Sequence, residues 1–357
     1  MKFKILTLSF LILLYASNNH VKSQNISVSQ LPIMDQLPSN SVHRIFQDSE
    51  GYIWFGTPEG LCRYDGNRIK IFRSDIYSPN LFASNEISCI AEDNNNNLWI
   101  GTNEGLSILN RNTYQIKTHP DSILQSMAIR DILIGSDSTI WVGASNAVYR
   151  YNPDFSRKKR YTHNQNDSKS IPNGGINKLF EDSYHNIWLT LWEEGLHKYD
   201  TESDRFIQYP KIGRTNNPFK IFQDNQNNYW IGTWNDGLYK FTPNAKNDDL
   251  YTQITIPKTN YSEEEETFFS FTQDDNVEYI WSMSLSGLST YMYDKSGDLI
   301  PVNTQELLKN TNNIFSEIIK DRDGSLWIGA FSEGVFKIDF DKPAISNFPI
   351  DDLNTKK

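Results

Sequence analysis

Cysteine is scarce in this 357-residue chain, which has only Cys62 and Cys89. Two are too few for the disulfide framework of a small secreted scaffold. Histidine is equally sparse, with six scattered residues and no His/Cys cluster at zinc-ligand spacing. No strand-to-helix nucleophile elbow and no phosphate-cradling glycine loop occurs. The expectation is no catalytic residue, no cofactor and no metal site. Basic residues are outnumbered, 34 Lys and Arg against 44 Asp and Glu, for a formal net charge of −10. That balance disfavours nucleic acid, whose phosphates need a basic surface. Long apolar runs are lacking too. The single candidate, Ile5 to Leu14, falls well short of the ~20 residues that span a bilayer. Lys2 and Lys4 precede it and Val21-Lys22-Ser23 follows, so residues 1–23 are expected to be a signal peptide. The chain from Gln24 to Lys357 is then exported, to the periplasm or beyond the cell.

What the sequence has in abundance is one pattern. Leu98-Trp99-Ile100-Gly101-Thr102-Asn103-Glu104-Gly105-Leu106 places an apolar strand, a polar turn ending in glycine and a second apolar strand in succession. Trp and Ile suit a pleated, half-buried surface, so the stretch reads as a hairpin. A lone hairpin is marginal in water and must stack on others. Counterparts occur at Trp54, Trp141, Trp188, Trp230, Trp281 and Trp327, at intervals of 42 to 51 residues. A period in this range with strand-like spacing inside it predicts an all-β fold, a seven-bladed β-propeller of four-stranded antiparallel blades. Although the length alone suggests two domains, the unbroken repeat predicts one, over residues 24–357.

Within the first repeat the strands are expected at Val42 to Gln47, Tyr52 to Gly56, Leu61 to Tyr64 and Ile69 to Phe72. In the last they are expected at Ile314 to Lys320, Ser325 to Gly329, Val335 to Ile338 and Ala344 to Phe348. Asp-rich turns join first and second strands. None carries the Glu that closes a twelve-residue calcium loop, so they read as turns. Each repeat Trp is expected in the gap between blades, where it buries ~150–250 Å². Ile26 to Leu31 forms a further strand, expected to close the ring against blade 7, because an unpaired edge is a liability. Cys62 and Cys89 fall on an outer and an inner strand of neighbouring blades, a poor fit to the ~7 Å limit for bridged Cα atoms. They are expected to be free and buried.

The turn between second and third strands is one residue longer in blades 4, 5 and 7, and each longer turn carries an aromatic: Trp192, Trp234 and Phe331. All such turns of a propeller emerge on one face, beside its central channel. Flat rings next to polar groups suit a sugar ring, and Glu194 and Asp236 stand beside them, so these five residues form the candidate ligand site. Packing over blade edges is the alternative role for the aromatics. Loops linking blades open on the same face, the longest being Ser74 to Glu86, Thr162 to Gly175 and Thr255 to Thr267. The last holds Glu263-Glu264-Glu265-Glu266, a charge run that reads as a solvated loop.

The pattern [LI]WIGT-x-x-G-L-x-[KR]-[YF]-D, preceded by an Ile/Phe-x-x-D turn, resembles the two-component regulator propeller repeat. Residues Leu37 to Thr57 are similar to that family's first blade, and the resemblance runs through nearly all of the exported chain. Blades 3 and 6 depart from it, with Ala144-Ser145-Asn146-Ala147 and Ser282-Met283-Ser284-Leu285. The resemblance implies the N-terminal sensor of a hybrid two-component system, recognising an oligosaccharide in the periplasm. It also implies a signal passed through a membrane partner to a histidine kinase that these residues do not contain. The other expectation, from a different class, is a secreted propeller enzyme, a polysaccharide lyase or hydrolase, using acidic residues near the channel.

Overall fold

Most Trp-bearing strands run through successive apolar residues rather than alternating apolar with polar, the mark of a strand covered on both faces. The computed structural model describes residues 26–77, 81–154, 158–246, 249–254, 266–274, 279–295, 297–302 and 315–340. In it Ile53–Thr57, Ile140–Ala144, Ile187–Leu191, Tyr229–Thr233, Ile280–Ser284 and Leu326–Ala330 are buried at every position. These strands, with Asn97–Thr102, are second in seven four-stranded antiparallel sheets, which makes the fold the expected seven-bladed propeller. Blade 1 is built from Arg44–Gln47, Ile53–Thr57, Gly60–Tyr64 and Ile69–Phe72, close to the boundaries read from sequence.

The core is divided into seven clusters, each straddling two neighbouring blades. Trp99 of blade 2 packs with Ile129, Ile132, Val142 and Tyr149 of blade 3. Trp188 packs with Ile221, Ile231, Tyr239 and Phe241 of the blade that follows it. Trp327 of blade 7 reaches Ile45, Phe55 and Cys62 of blade 1, completing the circle. All seven Trp residues are at most 5% exposed, so interblade packing is their role.

Burying an indole also buries its N–H, which then needs an acceptor. The Asp that opens the preceding turn supplies one. Trp54 donates to Asp48 at 2.8 Å, Trp99 to Asp93 at 2.9 Å and Trp188 to Asp182 at 2.8 Å. Trp230, Trp281 and Trp327 donate likewise to Asp224, Asp274 and Asp321. The same carboxylate accepts backbone N–H groups of its own turn, as Asp48 does from Glu50 and Tyr52, both at 3.0 Å. The Asp-rich turns are thus acceptors for the core, and calcium has no part in the explanation. Blade 3 has Gly135 in place of this Asp.

In blades 1, 2, 4, 5 and 6 the residue before that Asp ties the blade to the one before it. Glu92 of blade 2 accepts from Ser49 N of blade 1 at 2.6 Å. Glu181, Gln223 and Gln273 repeat the contact onto Ser136, Ser183 and Asn225. Gln47 of blade 1 does so onto Arg322 of blade 7, so the tie also crosses the seam. The glycine two residues after the Trp serves close approach. A Cβ on Gly143 would lie 2.6 Å from Ile176 Cγ2 of the next blade.

Closure occurs as expected from the N-terminal side. Ile26–Gln30 pairs antiparallel with Gly334–Phe340, in register from Ile26↔Phe340 to Gln30↔Phe336. It therefore fills the fourth place in blade 7 that Ala344 to Phe348 was expected to take, and those residues lie outside the described ones. Residues 1–23 also lie outside them. Cys62 and Cys89 are buried and free, and burial pushes both thiols up to about 12.

Candidate functional site

The inner strands share an irregularity that shapes the channel mouth. Register shifts occur between Ile87 and Cys89, Ile129 and Asp131, and Ile176 and Lys178. They recur between Pro218 and Lys220, Phe268 and Ser270, and Phe315 and Glu317. A bulge leaves one residue unpaired and re-aims its side chain. Here the skipped residues are Ser88, Arg130, Asn177, Phe219, Phe269 and Ser316, and all line one cavity of about 520 Å³. All seven blades contribute to its wall. Asn103 and Leu285, from second-to-third-strand turns, place it on the face where those turns emerge.

Two of the three expected aromatics, Trp234 and Phe331, line this cavity. Trp192 stands against Trp234, with ring centroids 5.4 Å apart and planes at 59°. Phe219 and Phe269 lie 5.8 and 6.2 Å from Trp234, extending the apolar wall across blades 5 and 6. Phe331 packs on His43 at 5.3 Å. The longer turns cause this placement. In blades 4 and 5 the residue after the aromatic, Glu193 or Asn235, takes a left-handed conformation at φ 59° or 57°. Trp192 is 37% exposed and Phe331 of blade 7 is 43% exposed.

The two expected carboxylates behave differently. Glu194 is half-buried, does not line the cavity, and its backbone oxygen accepts from Gln208 at 3.0 Å. Asp236 departs from the expectation of a surface group. It is 2% exposed and accepts the backbone N–H groups of Arg214 at 2.6 Å and Thr215 at 3.1 Å. It thereby holds the preceding loop, whose backbone N–H groups at Arg214 and Thr215 lie outside any strand. Glu266 corrects the reading of the acidic run as wholly solvated. It is 1% exposed, accepts from Ser286 N at 3.0 Å, and also takes the Ser286 hydroxyl. Glu263, Glu264 and Glu265 lie outside the described residues.

Sequence reasoning missed a ring of charge. Ten residues before each blade Trp, eleven in blade 6, stand Arg44, Cys89, Asp131, Lys178, Lys220, Ser270 and Glu317. Of these, Arg44, Lys178, Lys220 and Glu317 line the cavity. Lys178 Nζ meets Asp131 Oδ1 at 2.6 Å, and Asp131 Oδ2 accepts from Leu179 N at 2.8 Å. Glu317 accepts from Ile45 N at 2.8 Å. Burial pulls the Lys178 ammonium down, but Asp131 and Glu317 outweigh it and hold the pKa above the ordinary lysine value. Lys220 has the opposite balance: burial and then the neighbouring Lys178 charge push it down to about 8. The signal that could have revealed this ring is positional, a fixed offset from the Trp, because the residue types themselves vary.

A larger groove of about 980 Å³ lies between blades 3 and 4, toward the other face. Its central acid, Asp204, accepts from the Tyr161 and Tyr199 hydroxyls at 2.6 and 2.7 Å. It also pairs with Lys159 at 2.8 Å and Arg150 at 3.2 Å. Burial opposes its charge, yet these partners keep the carboxyl well below the usual range. With its acid and bases already matched to one another, this groove is the weaker candidate.

Among the described residues no group of His, Cys, Asp or Glu has the arrangement of a metal site. Comparison with known proteins bears on the fold and the repeat. A family profile described as "Two component regulator propeller" matches residues 36–59, 82–104 and 213–235. Each match takes in an inner strand and a Trp strand, and the third includes Lys220 and Trp234. Among curated proteins none matches the chain. Of solved structures, the chain is similar to the extracellular domain of the putative hybrid two component system BT3049 from B. thetaiotaomicron. The TM-score is 0.71 at 22% identity, over 89% of this chain and 42% of that one. The extracellular domain of the putative one component system BT4673 from the same organism gives 0.67 at 22% identity, over 88% and 40%. The chain thus spans well under half the length of these two. A streptogramin B lyase gives 0.65 at 15% identity over 89% of this chain and 98% of its own. These identities establish the shared propeller fold, and the matched segments identify the repeat. The chain is a seven-bladed propeller, three segments of which match the two component regulator propeller profile.

Proposed function

We propose that this propeller is the ligand-recognition part of an exported sensor, that it binds a carbohydrate fragment at the channel mouth, and that it signals through a membrane kinase. Residues 1–23 serve as the leader, and residues 24–357 form the recognition domain. The observation that carries the reading is the pair Trp192 and Trp234 at a cavity lined by every blade, where aromatic side chains stand beside charged and amide groups. Aromatic rings beside hydrogen-bonding groups suit the apolar face and hydroxyl rim of a sugar. The extracellular domains of putative two and one component systems that share the fold favour an exported place and a signalling partner.

The test is calorimetric titration of the mature propeller with a polysaccharide and oligosaccharide panel, repeated on the Trp192→Ala/Trp234→Ala double variant. A glycan bound by the parent is expected to lose binding in the double variant. The melting temperature should hold, because partly exposed turn side chains contribute little to the core. Unchanged affinity would remove both residues from the site. Loss of stability with no glycan bound by the parent would assign them to packing. Scoring the same incubations for new reducing ends tests the lyase or hydrolase alternative.

A further inference from the structure

We infer that the glycan taken at the channel mouth is acidic, and that its anionic group sits on Lys220. This rests on the carbohydrate reading above and narrows it to a chemical class. Five charged side chains occupy the ring of inner-strand positions: the cations Arg44, Lys178 and Lys220 and the carboxylates Asp131 and Glu317. The two acids are engaged. Asp131 holds Lys178 and Leu179 N, and Glu317 caps Ile45 N. Arg44 donates to the His43 carbonyl at 2.8 Å. Among the described residues Lys220 has neither a hydrogen-bond acceptor nor a carboxylate in ion-pair contact, although it lines the cavity.

An ammonium drawn partly out of water, as that of the half-buried Lys220 is, is costly unless it is paired. The ring carries one more cation than anions, and the exposed Arg130 and Glu86 on the same wall offset each other, so one incoming negative charge balances the cavity. The ammonium is also next in sequence to Phe219, and Trp234 and Phe269 share its wall, so anion and apolar face are recognised side by side. A sugar ring bearing one carboxylate or one sulfate ester has this pair of features. A neutral glycan would leave Lys220 unpaired, and a free inorganic anion would leave the aromatic wall unused. Because Lys220 is pushed down to about 8, it is cationic below that pH and neutral above it. Anion binding is therefore expected at neutral pH and expected to weaken as the pH rises through 8.

The experiment titrates the propeller with galacturonate, mannuronate and glucuronate oligomers, with sulfated galactan oligomers, and with neutral galactose, mannose and glucose oligomers. An acidic oligomer should bind at least about tenfold more tightly than its neutral counterpart, the scale of one charge-assisted hydrogen bond. Whether uronate or sulfate binds identifies the anion. Lys220→Met should lose that preference while keeping residual affinity for the ring, and parent affinity should fall between pH 7 and 9. Should the variant fail to fold, the comparison of acidic with neutral oligomers on the parent still decides. Equal binding of neutral and acidic oligomers, or an acid preference that survives in Lys220→Met, overturns this inference and leaves the carbohydrate reading standing. Binding of no oligomer of any kind overturns both.

Discussion

Arg111→Ala is expected to destabilise the propeller by about 3–5 kcal/mol, the cost of breaking a buried ion pair by removing one partner. Arg111 is 4% exposed and lies where blades 1 and 2 meet. It pairs with Glu92 at 2.6 Å and Asp48 at 3.4 Å, and donates to Ser49 Oγ at 2.7 Å and Asn96 Oδ1 at 3.0 Å. Asp48 is in turn the acceptor for the Trp54 indole, and Glu92 is the tie onto Ser49. Alanine would leave two enclosed carboxylates without a counter-charge at one blade junction. Arg111→Lys should recover only part of the loss, since an ammonium cannot fork between two acids as a guanidinium does. Urea unfolding of the three proteins measures the effect. A midpoint for Arg111→Ala equal to the parent's would show that the cluster contributes nothing.

Trp99→Ala should cost a similar ~3–5 kcal/mol, the range for truncating a buried aromatic. Its ring is 0% exposed, lies 5.4 Å from His119 and packs on blade 3. Its indole N–H is held by Asp93 at 2.9 Å, so the variant also strips an acceptor of its donor. Against a typical total of ~5–15 kcal/mol the melting temperature should fall markedly. A melt within a degree or two of the parent would contradict the interblade role of this position. The two sites differ in kind, one charged and one apolar, yet both act on contacts between blades rather than within one sheet.

The blades were legible because a propeller repeats its core. Seven Trp residues in the same relation to a following turn leave little freedom in where the strands lie. Closure through Ile26–Gln30 was legible for a related reason, since Gly334–Phe340 otherwise leaves an open edge. The role of the turn Asp was harder to see, because Asp is also an ordinary turn residue. Only the constant spacing from Asp48 to Trp54, and from Asp93 to Trp99, links it to the indole. The site was half legible. Longer turns marked Trp192, Trp234 and Phe331, but turn length does not say which way the next residue faces. Asp236 is enclosed and accepts from Arg214 N and Thr215 N, which turn length alone does not indicate. The charged ring was hidden because the strand geometry fixes the position while the residue type varies from blade to blade. Arg44, Cys89, Asp131 and Lys220 look unrelated until the inner strands are superposed about one axis.

The central claim is that recognition takes place at the channel mouth. The most direct measurement is a crystal structure of the propeller with the oligosaccharide it binds most tightly. The account predicts a sugar ring against Trp234, with Trp192 behind it and the ligand entering the cavity lined by Phe219, Lys220 and Phe331. A ligand seated instead in the groove between blades 3 and 4, around Arg150 and Asp204, with the mouth empty, would contradict it.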